Sequence, residues 1–240
     1  MKSIEIYLKN EEITLPVNYN SMLQGVIYNL LSYNEELSSS IHDDGEEYDN
    51  KKYKLFTFSR INGKALYQDK KLTYKGNISF EIRSAYDEII DEIEKSINNS
   101  PFVLFNKKIL KVINIKVSNH KIFENSIDIK MITPLSIHKT DENDNTVYLR
   151  YDDEEFSKRV LENSLRKYAS YTSENNDVYL SIKPIEVENK DKTVTTFKGT
   201  YVTAYSGIYH LEGSIDLINF LYYVGIGDRN SQGFGMFKLI

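Results

Sequence analysis

Asn20-Ser21-Met22-Leu23-Gln24-Gly25-Val26-Ile27-Tyr28-Asn29-Leu30-Leu31 places Leu23, Val26, Ile27, Leu30 and Leu31 at i, i+3, i+4, i+7 and i+8. That spacing returns to one face of an α-helix, so the stretch predicts an amphipathic helix capped by Asn20 and running to about Asn34. Tyr28 lies about 100° around the axis from Ile27, on a flank of the apolar stripe. Upstream, Ser3–Leu8 alternates as a half-buried strand does. Downstream, Tyr53–Ile61 and Asn77–Arg83 read as strands, with turn chemistry at Asn62-Gly63 between them. Tyr86, Ile89, Ile90, Ile93 and Ile97 mark a second helix, Tyr86–Ile97, and Ile109–Val117 reads as a closing strand. The order β-α-β-β-α-β is the ferredoxin-like pattern, shared with RNA recognition modules. No clean RNP signature accompanies it, and a fold alone does not assign a function.

The second half follows the same plan. Ser126–Ile137 reads as a strand, with Thr146–Tyr151 as a hairpin partner. Asp152–Tyr171 reads as a helix with acidic residues in its first turn, where the helix dipole favours them. Val178–Val187 and a long Thr193–Glu212, bent near Gly207, read as strands. Ile215–Val224 reads as a short helix and Phe234–Ile240 as a last strand. The expected class is α+β, with two tandem ferredoxin-like domains and antiparallel sheets. The division falls near Ser118–Asn125, giving domains 1–120 and 121–240.

A chain of 240 residues with 40% hydrophobic content can bury two small cores. It has no cysteine, which excludes disulfides, thiolate nucleophiles and zinc–thiolate sites. No apolar run reaches the roughly 18 residues of a membrane span, and the N-terminus carries no signal-peptide core. A cytoplasmic protein is expected. The formal net charge of −5 opposes nucleic-acid binding as a whole. The distribution is uneven, however. Asp43, Asp44, Glu46, Glu47 and Asp49 precede a segment with Lys51, Lys52, Lys54, Arg60, Lys64, Lys70, Lys71, Lys75 and Arg83. A locally basic segment attracts phosphate, although lysines also guard sheet edges.

Near the C-terminus stands Gly225-Ile226-Gly227-Asp228-Arg229-Asn230-Ser231-Gln232-Gly233-Phe234-Gly235. Glycines permit unusual backbone angles and close approach of another chain. Backbone amides in such a loop can cradle phosphate, and Arg229, Asn230 and Ser231 add donors. No Gly-Lys-Ser/Thr follows, so this is not a Walker loop, and it follows a helix where a Rossmann fingerprint precedes one. A helix C-cap accounts for one or two of these glycines, not for four.

This G-h-G-x5-G-h-G pattern, where h is hydrophobic, resembles the signature of the repeat-associated mysterious proteins, which include the Cas-six family of CRISPR precursor-RNA endoribonucleases. Leu23-Gln24-Gly25-Val26-Ile27-Tyr28-Asn29 is similar to that family's first helix. Lys54-Leu55-Phe56-Thr57-Phe58-Ser59 is similar to its second strand, and His42 lies between them. The resemblance implies an active site of Tyr28, His42 and Lys54, with Lys51 and Lys52 as alternatives to Lys54. It implies RNA binding through Gly225, Gly227, Arg229, Asn230, Ser231, Gly233 and Gly235.

Metal-free RNA cleavage uses the substrate's own 2′-hydroxyl and leaves 2′,3′-cyclic phosphate and 5′-hydroxyl ends. Histidine suits proton transfer, lysine suits charge stabilisation and tyrosine suits positioning. His42 is the expected acid or base, with the acidic neighbours leaning it toward the acid if they lie close. His120 and His138 are flanked by lysine and read as surface residues, and His210 as structural or RNA-facing. No cluster has metal-ligand spacing, so neither metal nor cofactor is expected. The expected partners are CRISPR repeat RNA and other subunits of a CRISPR effector complex, with the chain a monomer or homodimer. Two other readings remain open: a non-cleaving repeat-RNA-binding subunit, and a ferredoxin-like protein-interaction module.

Overall fold

The computed structural model describes residues 1–32, 46–48, 51–105, 107–172 and 177–240. His42, Asp43, Asp44 and Asp49 lie outside the described residues, as do the side chains of Glu46 and Glu47. The strands, in chain order, begin with β1 (Lys2–Lys9), β2 (Glu12–Pro16), β3 (Glu46–Tyr48), β4 (Lys51–Tyr53), β5 (Phe56–Phe58), β6 (Asn62–Gln68) and β7 (Lys71–Ser84). They continue with β8 (Phe102–Phe105), β9 (Lys108–Ser118), β10 (Ser126–Met131), β11 (His138–Thr140) and β12 (Thr146–Tyr148). The last are β13 (Leu180–Glu186), β14 (Lys192–Phe197), β15 (Thr200–Tyr205), β16 (Ile208–Gly213) and β17 (Phe237–Leu239). The helices are α1 (Asn20–Leu31), α2 (Asp87–Asn99), α3 (Phe156–Thr172) and α4 (Ile215–Val224).

The fold is two tandem ferredoxin-like units. In the first sheet β9, β1, β7 and β5 neighbour one another in that order, all antiparallel, with β2 and β6 on the far part of β7 and β8 at the edge. The second sheet runs β17, β10, β16, β13. Both show the crossed order that β-α-β-β-α-β connectivity imposes on one antiparallel layer. Ile4, Ile6, Ile78, Phe80 and Ile82 gather with Leu23, Val26, Ile27, Ile90 and Ile93 in the first core. Ile127, Ile129, Leu211, Val160, Leu217 and Leu221 form the second. Leu55 and Ala85, from the first half, pack into that second core, so the units share an apolar seam.

Several local expectations change. The hairpin after β5 turns at Asp69-Lys70, both with positive φ, and not at Asn62-Gly63, which opens β6. Gln68 pairs with Lys71, leaving a two-residue loop that aspartate tolerates in the left-handed region. Thr193–Glu212 is not one bent strand. It divides at the Lys198-Gly199 turn and again at Gly207, giving β14, β15 and β16. The helix expected from Asp152 begins at Phe156, because Asp153 accepts the Arg150 amide at 2.6 Å and holds the chain in a turn. Tyr53–Ile61 is broken at Lys54-Leu55.

Arg83 of β7 fastens the two units. It is 3% exposed and grips both carboxylate oxygens of Glu81 at 2.7 and 3.1 Å. It also donates to the carbonyls of Phe237 (2.7 Å) and Tyr222 (3.3 Å) in the second unit. Its guanidinium lies 3.9 Å from the Tyr222 ring centre, a cation–π arrangement. Arg83→Met strands Glu81 and two carbonyls, and is expected to cost roughly 2–4 kcal/mol, less than a fully buried pair because Glu81 keeps some water. Denaturant unfolding checks this, and a change within about 0.5 kcal/mol, the range of ordinary surface substitutions, contradicts it.

Candidate active site

The glycine loop, Gly225–Gly235, sits where the two units meet, and its backbone is tied down from both. Lys167 of α3 is buried beneath it and donates to the carbonyls of Gly225 (2.7 Å) and Gly227 (3.0 Å) and to Asn230 Oδ1 (2.8 Å). Burial pushes the Lys167 ammonium down, to about 7, while Asp228 pulls it upward. The carbonyl dipoles around it also favour the charged form. From the first unit, Gln24 of α1 donates to Ser231 O at 2.6 Å, and Asn20 donates to the carbonyls of Gln232 and Gly233 at 3.0 and 3.3 Å. Thr57 of β5 donates to Phe234 O at 3.3 Å. Asn20 therefore does not cap α1. Its side chain is spent on the loop, and Tyr19 occupies the cap position without a side-chain bond.

The glycines are required by this crowding. Gly235 has φ +75° and a Cβ there would meet Ile226 O at 2.0 Å, while one at Gly233 would meet the Phe58 ring at 2.6 Å. The amides of Gly225, Ile226, Asp228, Gln232, Gly233 and Gly235 are bonded to the protein's own carbonyls. Asn230 is 7% exposed and its amide nitrogen donates to Ile226 O and Phe234 O. Of the loop, Asp228, Arg229, Asn230, Ser231 and Gln232 line the adjoining cleft. Arg229 has φ +60°, donates to Gln232 Oε1 at 3.2 Å, and lies 5.8 Å from the Tyr148 ring centre.

The loop forms one wall of a cleft of about 670 Å³. Lys51, Lys52 and Lys54 line it from the first unit, and Lys139, Arg159, Arg166, Lys167 and Arg229 from the second, with Asp228 the one acid among the described lining residues. Lys54 Nζ donates to Tyr28 OH at 3.1 Å, so the structure brings these two site residues together. Tyr28 packs edge-on to Phe56 on the flank of α1. Burial pushes its phenol up to about 12, which keeps it protonated at neutral pH. His138 also lines the cleft, with Nδ1 2.6 Å from Asp228 Oδ2. Sequence reading missed this histidine, because nothing local to Ile137-His138-Lys139 announces a partner 90 residues away. Among the described residues no group of three or more His, Asp or Glu gathers as metal ligands do. No helix among them is long and apolar enough to cross a membrane.

Residues 115–239 match the family model of the C-terminal part of the CRISPR-associated protein Cas6. The chain belongs to the Cas6 family. It is 25% identical to the CRISPR-associated endoribonuclease Cas6 1 of Methanocaldococcus jannaschii, over 97% of this chain and 91% of that protein. It is 26% identical to the CRISPR-associated endoribonuclease Cas6 of Pyrococcus furiosus, over 96% and 86%. A solved structure of a Cas6-related protein from Pyrococcus furiosus superposes with a TM-score of 0.85 at 24% identity, covering 99% of this chain and 98% of that one. A structure described as a RAMP protein binding different RNA substrates superposes at 0.83 and 22% identity, covering both chains completely. The superpositions show a shared fold along the whole length.

The Cas6 glycine loop of this chain depends on one buried ammonium. Lys167→Met removes the donor to three shielded acceptors, at a cost of roughly 1–3 kcal/mol for each that stays unpaired. Denaturant unfolding is expected to show a loss of at least that size. Wild-type stability in the variant contradicts Lys167 as the loop's anchor.

Proposed function

We propose that this Cas6 protein is an endoribonuclease that cuts precursor CRISPR RNA within its repeats, by attack of the substrate's 2′-hydroxyl and without a metal ion. The observation that carries the reading is the basic cleft lined both by Lys54, which is hydrogen-bonded to Tyr28, and by the glycine loop. Domain 1–120 supplies the reacting side chains and domain 121–240 the loop that grips RNA. His42, carried by its position between α1 and Lys54, moves a proton.

In the reaction the O2′–P bond forms and the P–O5′ bond breaks. The 2′-hydroxyl gives up its proton, and the departing O5′ takes one. The products are a 2′,3′-cyclic phosphate and a 5′-hydroxyl. Lys54 places a positive charge at the cleft wall, where charge builds on the phosphoryl oxygens. Tyr28 keeps its proton at neutral pH and is suited to donate a hydrogen bond, not to act as a base. Arg229 and Ser231 are loop side chains available to RNA; the glycines and Asn230 shape the loop that presents them. Pre-positioning the 2′-hydroxyl beside phosphorus removes the entropy cost of a second encounter. A non-cleaving repeat binder would need the loop but not the Lys54–Tyr28 pair, and this favours the enzyme.

His42→Ala is expected to slow single-turnover cleavage by about 10²–10⁴-fold, the range of a positioned acid or base, with little change in RNA affinity. Cleavage is expected to persist in excess EDTA and to stop when the nucleotide 5′ of the scissile phosphate carries a 2′-deoxy sugar. Binding of that RNA should stay within a few-fold, because one hydrogen bond is worth about 0.5–1.5 kcal/mol. Loss of cutting in EDTA, or continued cutting of the deoxy substrate, overturns the mechanism. Intact repeat RNA in every condition favours the binding subunit.

A further inference from the structure

Two hairpins, one from each unit, meet beside the cleft. The first, β6–β7, turns at Asp69-Lys70, and all seven residues of β6 are exposed. The second, β14–β15, turns at Lys198-Gly199. The segment that leads into α1 ties both hairpins to the glycine loop. Val17 donates its amide to Lys70 O at 3.1 Å, and Asn18 donates to Thr196 Oγ1 at 2.7 Å. Asn20 holds the carbonyls of Gln232 and Gly233. Val17 and Asn20 stand at most roughly 11 Å apart along the chain. The second hairpin is also joined to the cleft from within its own unit. Its Phe197, Val202 and Ala204 cluster with Phe234 of the loop and with Tyr148, whose ring centre lies 5.8 Å from Arg229.

Each turn carries the same chemistry. Tyr67 precedes the first turn, which holds Lys70 and runs into Lys71; Tyr201 follows the second, which holds Lys198. The two rings are 68% and 72% exposed. Among the described residues no ion pair engages Lys70, Lys71 or Lys198, whereas Lys75, farther along β7, meets Glu12 at 3.6 Å. Asp69 is the one acid within Tyr67–Lys71 and Lys198–Tyr201. Lysines alone would read as guards of a free sheet edge. Large exposed rings beside them act in the opposite sense and invite association. Ammonium groups interleaved with exposed rings suit single-stranded RNA, which offers phosphates to the first and base faces to the second.

We propose that the two hairpin tips form one landing surface for single-stranded RNA that continues the cleft. Tyr67 and Tyr201 stack on bases, and Lys70, Lys71 and Lys198 take phosphates. The inference rests on the reading that the cleft holds RNA, and it assigns a seat to the part of the repeat beyond the scissile nucleotides. The Asn18–Thr196 bond fixes one tip against the other, so the surface is a product of both units. Stacking and ammonium–phosphate contacts tolerate any base, so the surface adds affinity and not a choice of sequence.

The test titrates wild type and variants with two RNAs, each made uncleavable by a 2′-deoxy sugar at the scissile nucleotide. One is the full cognate repeat and the other a short RNA centred on the scissile phosphate. Tyr67→Ser/Tyr201→Ser changes two largely exposed rings, so the fold is expected to survive. This variant should bind the full repeat roughly 10- to 100-fold more weakly, the low end for two base–aromatic stacks, and the short RNA as wild type does. Tyr67→Phe/Tyr201→Phe keeps both ring faces and should restore wild-type affinity for the full repeat. Lys70→Gln/Lys198→Gln should reduce the salt slope on the full repeat by about 1.4, two phosphates on a single strand. Wild-type affinity in the serine variant, a phenylalanine variant as weak as the serine one, or an unchanged salt slope overturns the landing surface while leaving the cleft reading intact. An equal loss on the short and the full RNA overturns it too, because the change then acts through the cleft. If wild type binds neither RNA, the cleft reading itself fails and the landing surface falls with it.

Discussion

The glycine loop is held by its carbonyl oxygens, and the arrangement of the cleft follows from that. Lys167 pulls Gly225 and Gly227 from below, while Gln24, Asn20 and Thr57 pull Ser231 to Phe234 from the other unit. A backbone drawn in this tightly leaves no room for side chains at Gly233 and Gly235. It also ties α1, which carries Tyr28, to the loop that carries Arg229. The loop is thus a joint between the two ferredoxin-like units as well as a wall of the cleft. Arg83 fastens the same two units elsewhere, with its guanidinium stacked on Tyr222. Fixing the relative position of the units is what lets residues from both line one space.

Charge follows the same logic. The chain as a whole is acidic, which taken alone argues against a nucleic-acid partner. The cleft reverses the sign locally, because β4 and the segment after it, α3 and the glycine loop each contribute cations to it. Two of the cleft's cations are partly offset, Lys139 by Glu155 and Arg159 by Glu162, whereas Glu81 and Asp152 pair with Arg83 and Arg150, which do not line the cleft. Screening over about 8–10 Å at moderate salt means a phosphate in the cleft feels the wall, not the net charge.

What the sequence made legible was local and periodic. The stripe of Leu23, Val26, Ile27, Leu30 and Leu31 is buried as its spacing requires, Tyr28 lies on the flank, and Ile215–Val224 is a helix with those bounds. The β-α-β-β-α-β order survives in both sheets. What stayed hidden depended on distant partners. Asn20 has the chemistry of a cap, yet spends its amide on carbonyls more than 200 residues away. Lys167 sits on a helix among polar neighbours and gives no sign that it is buried. Asn230 reads as a donor for RNA, but its side chain braces the loop from inside. His138 gains its meaning only from Asp228. In each case a polar residue is satisfied by tertiary geometry that spacing along the chain does not encode.

The central claim is that RNA lies in the cleft between Lys54–Tyr28 and the glycine loop, and not on the open faces of the two sheets. Photo-crosslinking tests it most directly, with repeat RNA carrying 4-thiouridine at successive positions and mapping of the modified peptides by mass spectrometry. The account predicts crosslinks concentrated in peptides containing Tyr53–Lys54, His138–Tyr148 and Arg229–Gln232, lost when unlabelled repeat RNA competes. Crosslinks concentrated instead on the open sheet faces, around Tyr7 or His210, would contradict it.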